Sequence, residues 1–135
     1  MPLTLEEAQT VIAGAQEHAG QLGIRVTVAV VDEGGLLQAL GRMDGALPLS
    51  AQIAEAKAVG AAVWHRDGDA LRQVQETRPA FFAQVDRMVR LPVIPGAGSV
   101  LIRRGGAILG AVGVSGGLPE QDRECAETGL ASLRS

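Results

Sequence analysis

The alternation of apolar and polar positions predicts a helix at the start of the chain. Residues 4–7 place a threonine hydroxyl and a glutamate carboxylate three positions apart. At that spacing each side chain accepts a hydrogen bond from the other residue's backbone amide. Gly23 is typical of the residue just beyond a helix end. Between these points, apolar side chains recur at helical spacing on one face: Ala8, Val11, Ile12, Ala15, Ala19 and Leu22.

Two other parts of the chain predict β-hairpins. Residues 24–31 alternate and are rich in β-branched side chains, and residues 36–42 return after the turn signal Asp-Glu-Gly-Gly as the second arm. Residues 99–103 and 107–114 predict two more strands, joined by Arg-Gly-Gly. Each pair of segments is therefore expected to form two adjacent antiparallel strands.

The remaining periodic segments predict helices. An alanine-rich stretch covers residues 49–64, Asp69 is placed to cap a short helix, and residues 81–85 suggest a further amphipathic turn. Pro119 suits the first residue of a last helix, whose first turn is acidic. The order is helix, hairpin, two or more helices, hairpin, helix. This order predicts an α+β architecture, an antiparallel sheet covered by helices.

Composition narrows the classes of function. The 135 residues suit a single domain over 1–135, and the one cysteine excludes an internal disulfide and a cysteine-rich metal site. A net charge of −3 and only 2% aromatic residues argue against a nucleic-acid partner. The start has no basic segment followed by an apolar run, and the uncharged stretch around 105–119 is too short to span a bilayer. We therefore expect no membrane association and a cytoplasmic location.

Seven segments spread over the chain form an ordered set: residues 3–8, 30–35, 42–46, 56–58, 110–117, 121–122 and 125–126. The most specific piece is Gly-Val-Ser-Gly-Gly followed shortly by Gln-Asp. Together, in order from Leu3 to Leu130, these segments resemble the GlcG/HbpS-like family, also called the haem-degrading domain family. They are also similar to the C-terminal domain of PduO-type proteins.

This resemblance implies a fold, a cofactor and a partner. The implied fold is a profilin-like or roadblock-like domain, a five-stranded antiparallel sheet flanked by helices. The implied cofactor is haem, since several relatives bind it and some release iron from it. The implied partner is the chain itself, as a homodimer that assembles further, commonly to an octamer, with the ligand in a cleft near a subunit interface.

The turn between the last predicted strand and the last helix is the first candidate site. Its residues Gly113, Ser115, Gly116 and Gly117 let a ligand approach the backbone, and free amides at a helix start attract anions. A haem propionate or a small organic acid fits this hypothesis. The alternative is a purely steric turn that returns the helix to the sheet, because acidic residues already occupy that helix start.

His18 is the candidate ligand for haem iron. It lies at the margin of the apolar face of the first helix, and an axial ligand needs a neutral imidazole nitrogen supported by a second acceptor. The alternative is a solvated histidine near a helix end. His65 fits a helix C-terminal cation better, while Met43 and Met88 are soft ligands whose commoner use is core filling.

Cations that could hold a carboxylate come from several elements. Arg42 and the pair at 103–104 can bind one through two parallel hydrogen bonds. Lys57 interrupts the alanine-rich helix, which suggests either an acid–base group or a structural ion pair with Glu55 or Glu33. Three functions follow: a haem-binding protein, an enzyme that acts on a small organic acid through Lys57 or a loop carboxylate, or a ligand-free scaffold module.

Overall fold

Four antiparallel strands form one sheet between two layers of helices. The computed structural model describes residues 2–134. The strand order is β2-β1-β4-β3. The elements are α1 (Leu5–Leu22), β1 (Thr27–Asp32), β2 (Leu37–Arg42), α2 (Leu49–Trp64), α3 (Gly68–Thr77), α4 (Pro79–Asp86), β3 (Ser99–Arg104), β4 (Ala107–Ser115), α5 (Pro119–Ala131) and a 3-10 turn at Ser132–Arg134.

The two predicted hairpins are confirmed and pair with each other. Strand β1 lies between β2 and β4, so that Thr27 faces Arg42 on one side and Ser115 on the other. Strand β3 pairs with β4 at the other edge. The antiparallel register thus brings the start of β1 beside the end of β4, although these residues are far apart in sequence.

Each face of the sheet has its own apolar core. Val11 of α1, Val28 of β1 and Val112 of β4 belong to the core beneath α1 and α5. Val59 of α2 and Val31 of β1 belong to the core on the opposite face. Because both faces are covered, β1 is buried along nearly its whole length.

Small residues let α2 approach the sheet closely. A Cβ atom built on Gly113 would lie 2.3 Å from the carbonyl oxygen of Ala54 and 2.7 Å from the amide nitrogen of Ala58. Any side chain at this position would collide with the α2 backbone. The structure therefore gives Gly113 a packing role beneath α2.

The observed start and end of α1 agree with those predicted from the sequence. The Thr4 amide donates to the Glu7 carboxylate and the Glu7 amide to the Thr4 hydroxyl, each at 3.0 Å, which confirms the capping box. Gly23 ends the helix in the left-handed conformation, at φ 75°. None of the helices within residues 2–134 combines the length and the apolar character needed to cross a bilayer.

The sheet has four strands in the described chain, so the implied five-stranded sheet is wrong. The segment before β3 uses its amides elsewhere: that of Val93 donates to the Asp86 carboxylate at 3.1 Å and that of Gly96 to the carbonyl of Gly68 at 2.9 Å. Those two amides are therefore not available for pairing beside β3. The profilin-like or roadblock-like description stays a prediction.

One helix start was also misplaced. Asp67, not Asp69, is the N-cap residue of α3, and its side chain makes no capping bond. The Asp67 carboxylate instead accepts the amide of Leu101 at 2.8 Å. An edge-strand amide that a further strand would have used is thereby satisfied.

Candidate functional site

The turn between β4 and α5 fills part of its own predicted anion site. The Gly117 amide donates to Oδ1 of Asp122 at 2.8 Å, and the Leu118 amide donates to Oε1 of Gln121 at 2.9 Å. Side chains of α5 thus occupy the two amides that an external anion would need. The Gly116 amide also faces the Asp122 carboxylate, so the anion-site hypothesis remains a prediction mainly for the Ser115 hydroxyl.

Beneath the turn, the Asp122 carboxylate also accepts a hydrogen bond from the ammonium group of Lys57. Lys57 Nζ donates to Oδ2 of Asp122 at 3.1 Å and to the carbonyl of Val114 at 2.9 Å, and both charged side chains are buried. Burial raises the pKa of the Asp122 carboxyl, against the opposing effects of the Lys57 charge and the Gly117 amide. The pair therefore joins α2, the end of β4 and α5.

This arrangement bears directly on the predicted role of Lys57. Lys57 does form a structural ion pair, but its partner is Asp122 and neither of the two predicted glutamates. Glu55 pairs instead with Arg90, at 3.2 Å. A protonated amine that donates to two buried acceptors has no lone pair for proton abstraction. The catalytic role of Lys57 stays a prediction.

Beyond the turn lies an open pocket of about 290 Å³, called here the Arg25 pocket. Ser115 and Gly116 line it together with Arg25, which precedes β1. The close approach of the turn to β1 requires glycine, because a Cβ on Gly116 would lie 2.3 Å from the carbonyl oxygen of Arg25. The other lining residues are Ile24, Gly45, Leu47, Leu49, Ser50 and Ile53.

His18 lies on the helical layer that covers the other face of the sheet. Its Nε2 is 2.5 Å from Oε2 of Glu124 on α5, and 22% of its side chain is exposed. Its Nδ1 has no hydrogen-bond partner among residues 2–134. A carboxylate that accepts from one ring nitrogen leaves the other free to bind a metal, the usual arrangement around a ligating histidine.

The other candidate residues make local contacts. Arg42 donates to the carbonyl of Ala46 at 3.1 Å and so holds its own loop. His65 ends α2 in the left-handed conformation and is exposed, while Met43 Sδ accepts the amide of Val26 at 3.4 Å. The structure thus brings together only part of the predicted set: Ser115 and Gly116 share a pocket, and His18, Arg42 and Gly113 do not line it.

Reasoning from the sequence missed two residues that matter here. Arg25 reaches the pocket through the antiparallel pairing of β1 with β4, and Glu124 reaches His18 through the contact between α1 and α5. Neither contact has a local sequence signal. In the described part of the chain, no group of three or more His, Cys, Asp or Glu residues is placed to hold a metal ion.

The fold and these contacts define an α+β protein with an open antiparallel sheet and a half-buried histidine supported by a carboxylate. A family model described as haem degrading protein HbpS-like matches residues 3–131. The chain therefore belongs to the HbpS-like family.

Curated relatives and solved structures agree with this assignment. Protein GlcG of Escherichia coli K12 is 37% identical over 113 residues, which cover 84% of this chain and 81% of GlcG. Corrinoid adenosyltransferase PduO of Citrobacter freundii is 31% identical over 98% of this chain, but the match spans only 39% of PduO.

Two crystal structures share the fold over nearly the whole chain. The PduOC:heme complex superposes with a TM-score of 0.87 at 29% identity, covering 98% of this chain and 95% of that one. HbpS superposes with a TM-score of 0.88 at 31% identity, covering 98% and 91%.

Proposed function

We propose that this protein binds haem and that His18 is the axial ligand of the iron. The observation that carries the proposal is the similarity to a haem complex, PduOC, over 98% of the chain. The geometry of His18 supports it, because Glu124 accepts from Nε2 and Nδ1 is free in the described structure. Bound haem supplies an iron whose reactivity depends on its axial ligand and surroundings.

The residues of this chain would each do part of the binding. Glu124 would orient the imidazole of His18 by accepting from its Nε2, as carboxylates do for metal-bound histidines. Anionic propionates need cationic or amide partners, for which Arg42, Ser115 and Gly116 were the sequence candidates. Haem degradation or iron release, suggested by the family's description, is a further activity of the same site; iron captured by a chelator as the haem absorption disappears would measure it.

A second copy of the chain is proposed to complete the haem cleft. The His18 side chain is 22% exposed, and a single imidazole contacts only one face of a flat ligand. Apolar residues remain exposed along the edge strand β2, among them Leu37 at 46% and Leu40 at 37%. Light scattering should therefore report a mass of at least twice 13.9 kDa, and a monomer at micromolar concentration would contradict a cleft between subunits.

The test of the ligand is a hemin titration followed at the Soret band. Wild-type protein should give a saturable shift, and His18→Ala should weaken binding by about tenfold or more because the iron loses its protein ligand. The matched control is His65→Asn, since asparagine tolerates the left-handed backbone at that position. Equal hemin affinity in His18→Ala and wild type would contradict the assignment of His18.

A further inference from the structure

The Arg25 pocket combines an apolar interior with polar groups at one end. It encloses about 290 Å³, at the lower limit of the range typical of small-molecule sites. The N-terminal turn of α2 forms one side, and the start of β1 and the end of β4 form the other. Its apolar lining consists of Ile24, Leu47, Leu49 and Ile53.

Ser115 contributes a hydroxyl that lacks a partner in the described structure. The residue is only 7% exposed, yet it lines the pocket and no group within residues 2–134 hydrogen-bonds to its side chain. Its cross-strand neighbour Thr27 is different, because the Thr27 hydroxyl lies 2.7 Å from Oγ of Ser50. The Ser115 oxygen is not sealed from solvent, so it is accessible from the pocket and available to hydrogen-bond a ligand there.

Arg25 contributes a cation that no carboxylate of the described chain neutralises. Its side-chain stem lies against Gly45, and its guanidinium makes no ion pair or hydrogen bond there. Asp44 is the nearest acid in that loop; it is exposed and makes no ion pair either. A guanidinium beside an apolar pocket is well suited to hold a carboxylate through two parallel hydrogen bonds.

The start of α2 adds positive potential to the same pocket. Its N-cap residue, Pro48, makes no side-chain capping bond, and its first turn contains no acidic residue. The positive end of the helix dipole is thus left without a compensating negative charge from those positions. Leu49 and Ser50 of this first turn line the pocket.

We propose that the Arg25 pocket binds the carboxylate end of a ligand whose remaining part is apolar. The Arg25 guanidinium and the Ser115 hydroxyl hold the carboxylate, and the leucine and isoleucine side chains contact the apolar part. Such a carboxylate belongs either to a free aliphatic acid or to a haem propionate. The inference goes beyond haem binding, because the free acid would bind without iron.

The first arm of the test uses hexanoate, with 1-hexanol as a ligand of similar apolar body and no charge. Binding is measured by calorimetry or by chemical shifts of Ser115 and Gly116. Wild type should bind hexanoate more tightly than hexanol, and Arg25→Gln should lose about tenfold in hexanoate affinity. Arg66→Gln removes the same charge from an exposed position just after α2 and should leave the affinity unchanged.

The second arm compares hemin with hemin dimethyl ester, whose propionates carry no charge. If a propionate occupies the pocket, Arg25→Gln weakens hemin binding and leaves ester binding unchanged. If only hexanoate responds to Arg25→Gln, the ligand is a free acid. The proposal is overturned if neither hexanoate nor hemin depends on Arg25 in a variant that unfolds at the wild-type temperature. Absence of any hemin binding would remove the haem function and leave the hexanoate arm decisive.

Discussion

The two sides of the β4–α5 turn differ in how their polar groups are satisfied. Beneath the turn, the buried Lys57 and Asp122 side chains share hydrogen bonds with the backbone and with each other. On the pocket side, Ser115 and Arg25 have no partner within the described residues. The same glycine-rich segment thus serves structure on one side and presents open binding groups on the other. The proposed carboxylate site therefore rests on these unpartnered polar groups more than on the glycines.

The largest expected effect is the loss of stability when the buried ion pair between Lys57 and Asp122 is broken. Lys57→Met leaves the Asp122 carboxylate buried without its counter-ion, which should lower the free energy of unfolding by about 3–5 kcal/mol. Urea denaturation at neutral pH measures it. The double variant Lys57→Met/Asp122→Leu should recover much of the loss, since no unpaired charge remains. A loss below about 1 kcal/mol in Lys57→Met would show that the pair does not hold the two layers together.

The next prediction compares the stability lost when the Thr27 hydroxyl, which has a partner, and the Ser115 hydroxyl, which has none in the described structure, are removed. Thr27→Val removes the hydrogen bond to Ser50 and should cost about 1 kcal/mol of stability. Ser115→Ala removes a hydroxyl without a partner and should change stability by less than about 0.5 kcal/mol. Both are measured by thermal or urea unfolding. Equal losses in the two variants would contradict the open state of Ser115.

The smallest expected effect is the change of stability with pH that arises from Asp122. Burial raises the pKa of Asp122 in the folded protein, so the folded state binds this proton more tightly than the unfolded state does. The contribution is fully present below the unfolded pKa of about 3.8 and is lost as pH rises through the folded pKa. Wild type should therefore lose stability relative to Asp122→Asn as pH increases from 4 toward neutrality. A relative gain over that interval would reverse the assigned direction.

Local features were predictable from the sequence because their partners are close along the chain. The capping box between Thr4 and Glu7, the end of α1 at Gly23 and both hairpins depend on contacts within a few residues. Their chemistry can be read from spacing alone.

The contacts that define the candidate site could not be predicted in this way. Lys57 meets Asp122 across 65 positions. Arg25 and Ser115 line one pocket only because of the register between β1 and β4. The predicted number of strands was wrong for a related reason. Whether the segment before β3 joins the sheet depends on competing acceptors, such as the Asp86 carboxylate, in other elements.

The buried thiol of Cys125 could be mistaken for a reactive group. Cys125 lies in α5 among apolar residues, and burial raises the pKa of its thiol to about 11. It is therefore a protonated core side chain at neutral pH and not a thiolate ligand for haem iron.

The most direct test of the account is the absorption spectrum of the wild-type protein as hemin is added. Haem binding through an imidazole predicts a sharpened Soret band that saturates at a fixed ratio of hemin to chain. A spectrum that stays that of free hemin at every ratio would contradict the central claim.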